Sequence, residues 1–581
     1  MLRMYVAAVV DAIVRRISKM KNMMLLCDFY KIAHRAMYPD GMTMMYSTWT
    51  PRSNKFFPQS KFVIWFGLQG FIKEYLVKQF NEYFFDRPLD EVLNEYKLYI
   101  HNTFDENAHT EHIEALHKLG YLPIEIKALP EGTKVPYRVP CCTVENTHPD
   151  FAWVTNYLET LFSCNLWLPT TTATRAYIYR KIIEKYIALT SDNSNWKRVG
   201  CGDFSFRGMA SLDAAITSGA AFLTSFDKTS TIPSIQYLCD YYGADVENED
   251  VGSWSASVEH SCTTSNYAVD GDEETFFIKM CKELYPNKPF SFVADSYDYW
   301  NFVDNIVRKN KDVILNHTGR INIRPDSGDP EEIICGIAPM WKAHESKEAF
   351  ESYYTRSEMM QSLYCNETDT SGQLVPIYLE IGNKKYIATW SNDGENDTFT
   401  YRDATIEERG TLDILWEIFG GTVNSKGYKV LDPHIGMVYG DAITLERCES
   451  ICNHMTNLGY AVENVVFGAG SYSFQYNTRD TQGWAYKATY AEINGKPILV
   501  YKDPKTGDGV KKSQKGMVRV YRNKDGEIKY IDGIQKGQVV TDDVKESDIN
   551  MLETVFLNGE VVRNQTLNEI RNSIHAESKG F

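Results

Sequence analysis

At 581 residues the chain is too long for one hydrophobic core, so two or more lobes are expected. Its 43% hydrophobic and 24% charged residues are those of an ordinary globular protein. A net charge of −16 excludes a general nucleic-acid binder, which would carry a basic footprint, but leaves room for a small polyanion held by locally concentrated cations. Twelve cysteines, with no CxxC pair and no zinc-site spacing, read as reduced thiols of a cytoplasmic protein.

In residues 1–21 the apolar Val6, Val9, Val10, Ile13 and Ile17 are interleaved with Arg3, Arg15, Arg16 and Lys19, as in a short amphipathic helix. Asp11 interrupts this run, which is too short to cross a bilayer, so residues 1–22 read as an N-terminal extension and no membrane partner is expected. Residues 23–165 open a β-rich α/β lobe. Within it, 25–46 leads into a polar, aromatic helix start, while 61–75 and the acidic, aromatic segment up to 119 read as helices. His109 and His112 lack the HExxH order, and a solvated helix face is preferred to a metal site. Residues 122–144 alternate apolar and polar with Gly and Pro punctuation, a β-rich pattern, and 150–168 is a buried amphipathic helix.

From about residue 195, short apolar runs end in small or polar residues, and a helix-like segment follows each. The end points Asp203, Ser230, His260, Asp295 and Asp326 are 27, 30, 35 and 31 residues apart. Asp441 and Gly470, two further points, are 29 apart. One βα unit needs about thirty residues, so the cadence predicts an irregular parallel α/β barrel over 166–480 with polar groups at its strands' C-terminal ends. The 115 residues between Asp326 and Asp441 break the cadence and predict an insertion at about 340–409, with a hairpin over 378–403. Residues 481–581 are expected to complete the first lobe. They hold a hairpin at Asn494-Gly495, the basic residues Lys487, Lys502, Lys511, Lys512 and Lys515, and a helix at 567–576.

No Walker A loop is present, and Gly468-Ala-Gly470 is too weak for a dinucleotide fingerprint. The predicted rim gathers Asp203, His260, Asp295, Arg324, Asp326, Asp441, a Gly470-Ser471 turn and Arg479. Two carboxylates on a barrel would suit a glycosidase, but that chemistry has no use for so many cations. Phosphorylated-sugar chemistry accounts for both, with cations on phosphates and carboxylates on sugar hydroxyls.

The motifs Asp28-Phe-Tyr30-Lys31, LPIEIKALPEG, VENT-x-P, DFSFRG, VEHS, DSYD, IRPDSG, SKGYK and FGAG…TRD occur in this order across nearly the whole chain. With them the sequence resembles the nicotinamide-specific branch of the type II phosphoribosyltransferase family. The resemblance implies transfer of a phosphoribosyl group from phosphoribosyl pyrophosphate to nicotinamide in NAD salvage. It also implies a homodimer with active sites shared between subunits. Phe204 and the partner copy's Tyr30, with Asp28, would enclose the pyridine ring. Arg324 and Arg207 would hold the diphosphate, Arg324 also reaching the carboxamide. Asp326, Gly440 and Asp441 would meet the ribose, and Gly470, Ser471 and Arg479 the 5′-phosphate. Arg52, Lys487 and Lys502 would reach phosphates from the other subunit. His260, oriented by Asp295, would be phosphorylated by ATP, a coupled substrate. Mg²⁺ would enter bound mainly to the diphosphate or to ATP, with no protein metal ligands assigned.

The sequence departs from this family in three places. Ser230 stands where the nicotinamide enzymes have an Asp, which lowers the expected barrier to nicotinate. Ser471 replaces a Gly in the phosphate turn, and Trp254-Ser255 replaces part of a Ser-Val-Pro run before His260. A nicotinate-preferring enzyme and a non-catalytic relative of the same fold remain as alternatives.

Overall fold

Six short strands run parallel in one curled sheet in the order Cys201–Asp203, Val465–Ala469, Ile435–Tyr439, Ile321–Arg324, Phe290–Val293, Ala256–Ser257. This computed structural model describes residues 22–356, 376–392, 397–440, 443–505, 512–538 and 550–576. The amphipathic segment expected in residues 1–21, the loop residue Lys511 and the rim residue Asp441 lie outside those ranges. The strands are short apolar runs buried on both faces, as parallel strands are when helices cover them. Each ends within about three residues of a point of the predicted cadence, so the α/β class and the parallel barrel follow from the spacing.

The seam between the first and last strands is closed by segment 227–230, through isolated parallel bridges Asp203↔Thr229 and Lys228↔Ser253. Asp203 holds that seam. Its N–H donates to the Lys228 carbonyl (3.0 Å), and its own carbonyl accepts from Ser230 N (2.8 Å) and Ser230 Oγ (2.9 Å). Its buried carboxylate accepts from Ser205 N (2.9 Å), Ser205 Oγ (2.6 Å), Thr229 Oγ1 (3.0 Å) and Thr231 Oγ1 (2.6 Å). A buried carboxylate is tolerated when donors surround it in this way.

A second, seven-stranded sheet is antiparallel and takes strands from both ends of the chain. Its order is Lys496–Leu499, Ala485–Ile493, Met42–Thr50, Cys142–Asn146, Ile124–Ala128, Glu553–Leu557, Glu560–Val561. Asn494 (φ 51°) and Gly495 (φ 70°) make the tight turn of its outer hairpin, where both central residues need positive φ. The helix Glu159–Thr190 runs continuously past residue 165, with Phe162 and Leu166 in the core of the antiparallel lobe and Tyr179 and Ile183 in that of the barrel.

Two helical expectations are corrected. Phe62–Ile64 is a buried strand paired with Lys134–Pro136, because its Phe-Val-Ile run packs flat before the helix that starts at Leu68. His112 is not on a solvated face. It is buried edge-on against Trp153 at 4.9 Å, and burial pushes its pKa down to about 4.

In the region expected to be an insertion, strands Lys342–His344, Ile377–Ile381, Lys384–Asn392 and Asp397–Asp403 form a separate small sheet. Phe350 packs with Ile377, Leu379 and Ala388 as its own core, and an ion pair from Lys385 to Asp413 fastens it to the helix Ile406–Phe419. Among the described residues no helix is long and apolar enough to cross a membrane.

Asp203→Ala leaves three hydroxyls and one amide without their acceptor, and is expected to cost about 3 kcal/mol. Asp203→Asn, which keeps one acceptor oxygen, should cost less. Chemical unfolding of the two variants against the wild type measures the difference.

Candidate active site

Three inward-facing glycines share one height in the barrel. Gly202 pairs with Gly468 on the neighbouring strand, and Gly440 ends the strand beyond. A Cβ on Gly440 or Gly468 would lie 2.5 or 2.3 Å from the Phe204 ring, and a Cβ on Gly202 would lie 2.5 Å from the Trp254 indole. The glycines thus leave a slot that two aromatic rings fill, their centroids 4.8 Å apart and their planes at 82°. Phe204 N–H donates to the Ala469 carbonyl (2.9 Å), which fixes the residue at the strand ends.

Above this layer, His260 is the first residue of the helix His260–Asp270. Its Nδ1 is hydrogen-bonded to Ser296 Oγ at 2.9 Å. Its Nε2 lies 3.8 Å from Asp295 Oδ1 and 3.9 Å from Asp326 Oδ2, within ion-pair range of both carboxylates but beyond a direct hydrogen bond. Asp295, only 5% exposed, accepts through Oδ2 from Asp326 N–H (3.0 Å) and Ser327 Oγ (2.6 Å). Its buried Oδ1 has no partner and faces the imidazole. The strand end Ile321–Arg324 and the turn after it are therefore anchored to the residue that faces His260. Ser296 and Ser327 were not singled out from the sequence; the signal was their place inside the DSYD and IRPDSG motifs.

Arg324 donates through Nη2 to the Val258 carbonyl (2.9 Å), and its buried Nε has no partner. Burial lowers its pKa, opposed by Asp326 and Asp295, with Arg207 also among its charged neighbours. Arg207 lies in the turn Phe206–Gly208, where a Cβ on Gly208 would lie 2.0 Å from Ser471 Oγ. The Gly470-Ser471 turn is thereby held against Arg207. Phe204, Arg207, His260, Asp295, Arg324, Asp326, Gly440, Gly470 and Ser471 converge on one barrel mouth, with Ser230 on its seam.

The other predicted residues form a second group. Asp28 accepts from Thr160 Oγ1 (2.8 Å) at the start of the helix Phe29–Met37, which presents Tyr30, 54% exposed. With Glu159, Trp167 and Arg479 these residues line a cavity of about 210 Å³. Glu159 pairs with Lys31 Nζ (2.6 Å) and Lys487 Nζ (3.5 Å). Arg52 donates through Nε to the Gly483 carbonyl (2.7 Å). Burial lowers the pKa of both Arg52 and Lys487, and Arg479 lowers each further. Arg479, expected with Gly470 and Ser471 on the 5′-phosphate, has Arg52, Tyr30 and Lys487 among its neighbours, since the turn Arg479–Thr481 leads directly into the antiparallel sheet. Lys502 is exposed on the same sheet's outer loop, its backbone N–H donating to Ser513 Oγ (2.9 Å).

Fold and site define a phosphoribosyltransferase. The profile of the nicotinate phosphoribosyltransferase (NAPRTase) family matches residues 199–560, more than half the chain. The chain is 38% identical over 567 residues to a nicotinamide phosphoribosyltransferase of Acinetobacter baylyi, covering 95% of this chain and 97% of that one. It is 31% identical to a nicotinamide phosphoribosyltransferase of Mycoplasma genitalium, covering 86% and 95%. Among solved structures, nicotinate-nucleotide pyrophosphorylase from Pyrococcus furiosus shares the fold, with a TM-score of 0.50 at 13% identity over 95% of both chains. The chain belongs to the nicotinate phosphoribosyltransferase family and is an enzyme of that glycosyltransferase-type class.

Glu273 lies behind this mouth. It is 5% exposed with Oε1 unpartnered, and burial, then Asp298 and Asp295, raise its pKa to about 7. A carboxyl whose folded pKa is raised favours the folded state when protonated. It therefore subtracts stability progressively as pH rises from its unfolded value near 4.5 to about 7. Glu273→Gln should gain about 1–3 kcal/mol over wild type at pH 8 and little at pH 5, measured by chemical unfolding at both pH values.

Proposed function

We propose that the protein transfers the 5-phosphoribosyl group of phosphoribosyl pyrophosphate to nicotinamide, giving nicotinamide mononucleotide and pyrophosphate, with ATP-coupled phosphorylation of His260. The observation that carries this reading is the barrel mouth. There an aromatic ring on a glycine bed and a guanidinium with an unused N–H share two carboxylates with an imidazole.

The pyridine ring lies on Phe204, and its nitrogen attacks C1 of the ribose. The C1–N bond forms as the C1–O bond breaks, through an oxocarbenium-like state, and pyrophosphate leaves with the electron pair. Asp326 accepts from ribose hydroxyls and stabilises the developing positive charge, while Arg324 and Arg207 neutralise the diphosphate. Among the described residues no group of three or more His, Cys, Asp or Glu side chains is arranged to hold a metal ion. Asp326 and the free Oδ1 of Asp295 suit a magnesium ion carried in on the diphosphate, which when bound lowers the charge of the leaving group. His260 Nδ1 is held by Ser296, and its Nε2 faces the carboxylates of Asp295 and Asp326, which orient the ring.

Ser230 supports nicotinamide over nicotinate. Its hydroxyl proton is committed to the Asp203 carbonyl at 2.9 Å, which can only accept. What Ser230 offers a substrate is therefore a lone pair, suited to a carboxamide NH₂. A full negative charge would reject nicotinate more strongly. Wild type should prefer nicotinamide, and Ser230→Asp should widen that preference by about tenfold in kcat/KM. Equal preference in both proteins removes Ser230 from base selection.

The second group, Tyr30, Arg52, Lys487 and Arg479, serves the active site of the partner subunit in a homodimer. Its separate clustering supports this reading: Asp326, Asp295, Arg207 and Glu259 are among the charged neighbours of Arg324, and Arg479 neighbours Tyr30, Arg52 and Lys487. Pyrophosphate and mononucleotide release, assayed with each base with and without ATP, tests the reaction. Asp326→Ala and Arg479→Ala should each be nearly inactive alone. Co-assembled in equal amounts they should recover about a quarter of wild-type activity, since half the dimers would hold one intact site. No recovery would place both residues in one chain's site.

A further inference from the structure

The short helix Ser471–Gln475, which begins in the Gly470-Ser471 turn, is held by the long helix Glu159–Thr190. Arg175 and Tyr179 lie one turn apart on the long helix and so share a face. Arg175, stacked on Phe57 at 4.6 Å, donates through Nε to Asn477 Oδ1 (3.2 Å). Asn477 Nδ2 in turn donates to the carbonyls of Ser473 (3.1 Å) and Phe474 (2.9 Å). Tyr179 Oη lies 2.8 Å from Ser473 Oγ. Residues 471–477 are therefore gripped at two points.

Tyr179 also reaches a second segment. Its hydroxyl donates to the Ile443 carbonyl (2.7 Å), three residues beyond Gly440, and Ser473 Oγ donates to the same carbonyl (3.1 Å). Tyr179 and Ile443 are fully buried and Ser473 nearly so, which shields all three contacts from competing water. Burial raises the pKa of the phenol and keeps the proton on its oxygen. The two segments joined here follow the neighbouring strands Ile435–Tyr439 and Val465–Ala469. At the rim they approach closely, since a Cβ on Gly470 would lie 3.9 Å from the Gly440 carbonyl oxygen. One phenol in the core thus sets the spacing of two strand ends at the mouth.

We propose that Tyr179 is a positioning residue for the phosphoribosyl half of the substrate. Without touching that substrate, it fixes the strand end at Gly440 against the turn Gly470-Ser471, so that ribose and 5′-phosphate meet their contacts at one set spacing. The inference rests on the reading of Gly440 as a ribose contact and of Gly470 and Ser471 as 5′-phosphate contacts.

Tyr179→Phe keeps the ring and removes only the hydroxyl. The KM for phosphoribosyl pyrophosphate should rise about fivefold, as expected for one lost hydrogen bond, while the KM for nicotinamide changes by less than about twofold. Ribose 5-phosphate, as a competitive inhibitor against phosphoribosyl pyrophosphate, should weaken by the same factor. Inhibition by pyrophosphate, which Arg324 and Arg207 would hold, should change by less than about twofold. Ser473→Ala should show the same pattern. If a thermal melt shows Tyr179→Phe unfolded, Ser473→Ala decides alone. A variant that melts earlier with both KM values unchanged, or with both raised alike, overturns the positioning role. Absence of turnover of phosphoribosyl pyrophosphate by wild type instead overturns the substrate reading itself, and the role of Tyr179 with it.

Discussion

The barrel is held shut by one carboxylate. Asp203 ends a strand, crosses the seam with its own N–H and carbonyl, and gathers Ser205, Thr229 and Thr231 around its side chain. Because the strands on either side meet only through isolated bridges, this residue does work that a full ladder does elsewhere in the sheet. Phe204 and Ser230, which face the base in the proposed reaction, are its immediate neighbours in chain and in space. A seam built from side-chain hydrogen bonds thus sets the position of the ring and of the hydroxyl together.

The mouth depends next on subtraction. Gly202, Gly440 and Gly468 remove three side chains from one layer of the barrel, and Phe204 and Trp254 take up the space. Most barrels of this kind fill each layer from the strands themselves. Here the filling comes from residues beyond the strand ends, so an aromatic surface can sit inside the barrel while its backbone remains at the rim. Across the molecule, Glu159 ties Lys31 and Lys487 together and so joins helix, sheet and long helix at the second cationic group.

Much of this was legible in the chain. A thirty-residue cadence of apolar runs ending in Asp, Ser, His or Gly is what a parallel barrel must produce, because each crossover has nearly the same length to cover. The hairpin at Asn494-Gly495 was legible for the same local reason. Phe62–Ile64 was not, since a three-residue strand and the start of a buried helix have the same apolar signature. His112 misled because its neighbours Glu111 and Glu114 are polar while its own face packs on Trp153, a contact 41 residues away. Residue types and motifs supplied the candidate residues, and only the family resemblance divided them, setting Tyr30, Arg52, Lys487 and Lys502 on the other subunit. That Arg479 stands with Arg52 is set by how the last barrel crossover feeds the antiparallel sheet. The use of Ser230's proton on a carbonyl is likewise a matter of position alone.

The sheet assembled from both ends of the chain has a consequence for biosynthesis. Met42–Thr50 is flanked on one side by Cys142–Asn146 and on the other by Ala485–Ile493. Every barrel strand emerges from the ribosome before that second neighbour does. At about 5–20 residues per second, the nascent lobe carries an open strand edge for tens of seconds. That edge is mostly buried and apolar from Met44 onward. It is a template for pairing with other chains until Ala485–Ile493 arrives to cover it. The barrel can mature early, whereas the lobe that carries Tyr30, Arg52 and Lys487 closes last, and the period of greatest exposure to aggregation belongs to it.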